Sequence, residues 1–144
     1  SQTFEQLQTV VGVVLTVDRM ATRSNRRCKQ FCSHSAVDPE SFGTSAFGVD
    51  WAVDMLGEEA ANYCFPPFFA IPRVIQHVKE CRAWSVLIVP WWPSQFWWVN
   101  LMEVTTCMWA LPGGDHFERI KDGEWQTVKG ALSFRPLVCV IDCR

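Results

Sequence analysis

An α/β fold with a mainly parallel sheet covered on both faces is what this sequence predicts, and three observations carry the expectation. Short, fully apolar, β-branched runs, VVLTV, WSVLIV and LVCVID, read as strands buried on both faces. Between them lie stretches whose apolar residues recur at helical spacing, and helices alternating with buried strands make a parallel, doubly covered sheet. The chain has 144 residues, 49% of them hydrophobic and 19% charged, with a net charge of −2. That composition excludes disorder and suits one domain, residues 1–144, with a sizeable core. The mildly acidic balance argues against a general nucleic-acid coat, while leaving room for a local basic patch.

The elements follow in order. Thr3 to Gln6 has the capping-box pattern, and Phe4, Leu7, Val10 and Val11 then form an apolar stripe that Gly12 stops. VVLTV (13–17) is the first strand, with Asp18 at its carboxyl end. The polar segment RMATRSNRRCK leads to a short strand, QFCS. A helix is expected over Trp51 to Ala61, placing Asp50 and Asp54 on one face, and then a strand, NYCF, ending at Pro66-Pro67. Pro72 suits the first turn of a helix with Ile71, Val74, Ile75 and Val78 inward and Arg73, His77, Lys79 and Glu80 outward. Trp84 to Val89 is a strand. Ser94 is expected to cap a helix whose inner face is Trp97, Trp98, Leu101 and Met102. MWALP, VKGAL and LVCVID complete the strands. In such sheets ligands bind beyond the carboxyl ends of strands. Asp18 with its basic loop, the FPPF run Phe65 to Phe68, and Pro90-Trp91-Trp92 therefore converge on one edge.

Compartment and metal chemistry read simply. The apolar run Trp84 to Trp92 is shorter than the about 20 residues a bilayer needs, so no membrane contact is expected. The opening SQTFEQLQTVVG has neither the basic nor the apolar region of a signal peptide. The seven cysteines are odd in number and scattered, unlike a disulfide framework, so the chain reads as intracellular, nuclear or cytoplasmic, with free thiols. Cys139 and Cys143 lie too far apart along one strand to share a zinc, and the CxxxCxH cluster of Cys28, Cys32 and His34 lacks a fourth ligand. No metal is expected.

At the convergent edge the chain resembles a known module. VDRMATRSNRRCKQFCS, then SAFGVDW, YCFPPFFAIPRVIQHV and VLIVPWWPSQFWW occur in an order similar to the methyltransferase-like segment of DIRS-type, tyrosine-recombinase retrotransposons. That segment in turn resembles the phage-type Dam DNA adenine-N6 methyltransferases. The resemblance covers essentially the whole chain and implies a Rossmann-like, methyltransferase-type three-layer sandwich. It places Asp18 and Asn25 in the S-adenosylmethionine pocket, and Pro66, Pro67 and Phe68 on the catalytic Pro-Pro-aromatic motif, where Phe68 is positioned to stack a flipped base. Three departures stand out: Phe65 occupies the catalytic Asn/Asp position, Ser45 replaces an expected Asp, and no glycine-rich turn follows Thr16.

Position 65 decides the activity this resemblance implies. The family's acceptor orients the adenine amino group in line with the sulfonium methyl, and positioning supplies much of the rate. Phenylalanine has no acceptor. Losing a comparable group costs roughly 10²- to 10³-fold in rate. The expected function is thus a non-catalytic methyltransferase-fold domain of retroelement origin, a binding or scaffold module without a cofactor. The alternative is an active DNA adenine-N6 methyltransferase using S-adenosylmethionine. Two contact surfaces are expected. Trp91, Trp92, Trp97 and Trp98 suit a protein partner or self-association. The loop arginines Arg23, Arg26 and Arg27, with Arg19 and Lys29, suit DNA or RNA phosphates, or are simply solvated. His34, His77 and His116 read as surface or rim residues.

Overall fold

Apolar runs and helical stripes assemble around one mixed sheet. The computed structural model describes residues 2–20, 27–28, 30–32, 46–110, 118–121, 124–127 and 134–144. In chain order the elements are α1 (Gln2–Val11), β1 (Val17–Asp18), β2 (Gln30–Phe31), β3 (Ala61–Cys64), α2 (Ile71–Cys81), β4 (Trp84–Pro90), α3 (Trp98–Val104), β5 (Thr105–Ala110), β6 (Glu118–Lys121), β7 (Glu124–Thr127) and β8 (Pro136–Asp142). Six strands lie in the order β2-β1-β3-β4-β8-β5, and β6 and β7 pair as a separate antiparallel ribbon.

The sheet is parallel across β2, β1, β3 and β4 and antiparallel on both sides of β8. β8 therefore runs against the other five strands. Its run LVCVID was expected to join a mainly parallel sheet, but an apolar sequence reports burial on both faces and carries no sign of direction. The alternation along the strands divides the core. Val86, Ile88, Val138 and Val140 pack with Phe4 and Leu7 of α1, while Leu87, Val89, Cys139 and Ile141 pack with Val74, Val78 and Leu101 of α2 and α3. Helices thus cover both faces.

α2 follows its sequence closely. Ile71, Val74, Ile75 and Val78 are buried, Pro72 sits in the first turn where no N–H is needed, and Arg82 closes the helix at φ 51°. His77, expected to point outward, instead packs edge-on against Trp51 and Phe47, its Nε2 2.8 Å from the Val49 carbonyl. α1 begins at Gln2, ahead of the expected cap, and Gly12 ends it at φ 77°.

Three expectations are corrected. VVLTV contributes only Val17 to a strand, since the chain needs residues 13–16 to travel from α1 to the sheet. Val14 is 76% exposed, and side chains supplement the backbone: Gln8 Oε1 accepts from the Leu15 N–H at 2.9 Å, and Thr16 Oγ1 accepts from the Ala61 N–H at 3.0 Å beside the Thr16 N–H bond to the Ala61 carbonyl at 2.8 Å. Residues 51–60 form turns, not a helix. Asp54 Oδ1 accepts from the Leu56 and Glu58 N–H groups at 2.8 and 3.1 Å, and Gly57 takes φ 76°, so local side-chain bonds outcompete helical ones. α3 starts at Trp98 with Trp97 as its cap, and Ser94 does not cap it. The chain first turns through Gln95 N–H to Trp92 O at 3.0 Å and Trp98 N–H to Gln95 O at 3.1 Å. The expected strand VKGAL lies outside the described residues.

Candidate functional site at the carboxyl edge

The parallel strands deliver three segments to one edge, as their direction requires: Asp18 from β1, Phe65 to Phe68 from β3, and Trp91-Trp92 from β4. β8, running the other way, adds Phe134 and Arg135 just before its start, and the Trp91 N–H donates to the Arg135 carbonyl at 2.8 Å.

Asp18 is 2% exposed. Its Oδ1 accepts from the Met20 N–H at 3.3 Å and its Oδ2 from the Arg27 N–H at 3.0 Å, so one carboxylate holds both ends of the loop that leaves β1. Burial raises its pKa to about 6, outweighing those two N–H bonds and the Arg27 charge. Both oxygens are thereby engaged within the chain. Asn25, the other residue of the expected cofactor pocket, lies outside the described residues, as do Arg23, Arg26, Lys29, His34, Ser45 and His116.

Arg19 corrects the reading of a solvent-facing basic loop. It is fully buried: its Nε donates to Asn62 Oδ1 at 2.6 Å, its Nη2 to the Val53 carbonyl at 2.8 Å, and its guanidinium lies 5.6 Å from the Trp51 ring centre. Asn62 in turn donates to the Trp51 and Trp84 carbonyls, both at 2.8 Å. This hub ties β1, β3, β4 and the 51–53 segment together. The only sequence sign of it was an asparagine inside an apolar strand.

The FPPF run splits by burial. Phe65 is half-buried against the α1-side core, Pro66 is buried, and Pro67 is extended with its carbonyl accepting from the Ala70 N–H at 2.9 Å. Phe68 meets Trp92 edge-on at 4.7 Å and Phe134 at 5.1 Å, and Trp92 and Phe134 are 6.1 Å apart. Three loops are joined by three rings. Phe134 was not legible beforehand, because it reaches the edge from a strand far along the chain.

The tryptophan segment divides likewise. Trp91 is 43% exposed, with the Arg135 guanidinium 5.0 Å from its ring centre, and Trp92 and Trp98 are half-buried. Trp97 is not part of the exposed surface: it aligns with Leu101, four residues on, and lies in the core at 3% exposure. Phe96, within the same aromatic run, is 78% exposed, and Phe69, a ring that sequence reading missed, is 88% exposed.

The seven cysteines are thiols. Cys28 packs on the α1 side and Cys32 on the α2 side, so the two do not converge on one ion. Burial pushes the Cys139 thiol up to about 12 and also raises Cys28 and Cys64, keeping them protonated and poor as ligands or nucleophiles. No helix among the described residues is long and apolar enough to cross a membrane. No protein-family model matches this sequence, and neither does any curated protein.

Proposed function

We propose that this chain is a non-catalytic, methyltransferase-type three-layer domain of retroelement origin, acting inside the cell as a binding module through the carboxyl edge of its sheet. The observation that carries the reading is the state of that edge. Where transfer chemistry needs an acceptor there is Phe65, half-buried against the core. Where a cofactor would meet a carboxylate, Asp18 is 2% exposed and its oxygens are turned to the Met20 and Arg27 N–H groups of its own loop. The described residues thus do not fit S-adenosylmethionine. What the edge does present is exposed aromatic area, at Phe68, Phe69, Trp91 and Phe96, of the kind that marks interaction surfaces.

Calorimetric titration with S-adenosylmethionine tests the proposal, the expected outcome being no binding heat. Mass spectrometry should likewise find no methylated adenine after incubation with DNA and cofactor. Phe65→Asp alone should not restore transfer, because Asp18 remains buried and out of a cofactor's reach. Methylated adenine that disappears in Pro67→Ala would overturn the reading.

A further inference from the structure

We infer that the carboxyl edge binds single-stranded nucleic acid, with unpaired bases stacking on Trp91 and Phe69 and phosphates meeting Arg135 and Arg73; this rests on the binding-module reading above. Two features favour that ligand. The first is the pairing of rings with guanidinium groups. Arg135 lies 5.0 Å from the Trp91 ring centre, and Arg73, in the first turn of α2, lies 4.2 Å from that of Phe47. A nucleotide carries a flat ring and a phosphate within one residue's reach, so a single strand offers both partners in alternation. A lipid headgroup or an acidic peptide offers the anion without the ring, and a duplex hides its base faces in the stack.

The second feature is the placement of charge. Arg27, Arg73 and Arg135 belong to segments at the carboxyl edge. Asp54, Glu58, Glu59, Glu80, Glu103 and Asp142 stand toward the opposite end, beside the starts of β3, β4 and β5 or the end of β8, where Lys79, Arg82 and Arg144 stand among them, Lys79 3.8 Å from Glu103 and Arg144 paired with Glu59 and Asp142. Glu5, in the first turn of α1, and the engaged Asp18 are acids that stand nearer the arginines. Among these residues the balance of charge is the more positive at the carboxyl edge, which favours the approach of an anion there.

The test is fluorescence anisotropy of a labelled oligothymidylate of about a dozen residues, the length that single-strand sites cover, at low and rising salt. The intact protein should bind, and the logarithm of its affinity should fall with log salt at a slope of about −1.4, as two phosphate contacts imply. Trp91→Ala should weaken binding roughly 5- to 150-fold, the range for loss of one base–ring stack. Phe69→Ala, at a site too exposed to disturb folding, should weaken it at the low end of that range. Arg135→Ala should also flatten the salt slope. Absence of binding at low salt would overturn the inference. So would equal affinity for the matching duplex, indifference to all three substitutions, or binding to phosphatidylserine vesicles alone. Each of those results leaves the non-catalytic reading intact, since that reading falls only to cofactor binding or methyl transfer.

Discussion

At the amino end of the sheet the chain is tied by hydrogen bonds, and at the carboxyl end by rings. Asn62 joins the carbonyls of Trp51 and Trp84, Asp54 gathers the turn that leads into β3, and Arg144 is held by Asp142 and Glu59. Across the sheet, Phe68, Trp92 and Phe134 pack edge to face while Phe69 and Phe96 stand in water. The difference separates two duties. The polar groups just named at the first end have partners within the chain, whereas Ser85 Oγ, beside Asn62, is buried without one among the described residues, so the arrangement of the named groups is explained by folding. Apolar rings left exposed at the second end bring folding little, which is why interaction chemistry is sought there.

The sharpest way to break this contrast is Asn62→Ala. It strips Arg19 Nε of its buried acceptor and two carbonyls of their donor, so unfolding by denaturant should register a loss of roughly 3 kcal/mol or more. A loss below about 1 kcal/mol would mean the hub is not what ties that end.

Asp18 extends the comparison to pH. Its folded pKa, about 6, lies above the ordinary 3.8. The folded state therefore holds the proton more tightly than the unfolded chain. The resulting stabilisation is fully present below about pH 4 and is lost as pH rises through about 6, amounting to up to about 3 kcal/mol. Denaturation measured across that window should show the wild type losing stability relative to Asp18→Asn. Parallel profiles would refute the assignment.

Gly57→Ala is a smaller perturbation. An added Cβ there meets nothing within 4 Å, so only the backbone at φ 76° resists it. A cost of about 1–2 kcal/mol is expected in the same unfolding measurement. Smallest of all, Phe69→Ala and Phe96→Ser should each alter stability by less than about 0.5 kcal/mol. A larger loss in thermal unfolding would show that these rings serve the fold and would remove them from the proposed surface.

Much of the fold was legible because helix and strand periodicities are local. The spacing of Ile71, Val74, Ile75 and Val78 with Pro72 defines α2 to within a residue, and the runs at Trp84 and Leu137 define β4 and β8. The location of the candidate site was legible for the same reason, since Asp18, the FPPF run and Trp91 each follow a recognisable strand.

What the chain could not announce locally are the partnerships made across it. Whether Arg19 faces solvent depends on Asn62, forty-three residues away, and on Val53. Whether a tryptophan in PWWPSQFWW is core or surface depends on where α3 begins, which buries Trp97 and leaves Phe96 outside. The apolar pattern of β8 is the same in either direction, so only its neighbours β4 and β5 decide that it runs reversed and carries Phe134 to the edge. Periodicity encodes how much of a segment is covered. What covers it, and which polar groups are buried with it, is settled when distant segments meet and unpaired donors find acceptors.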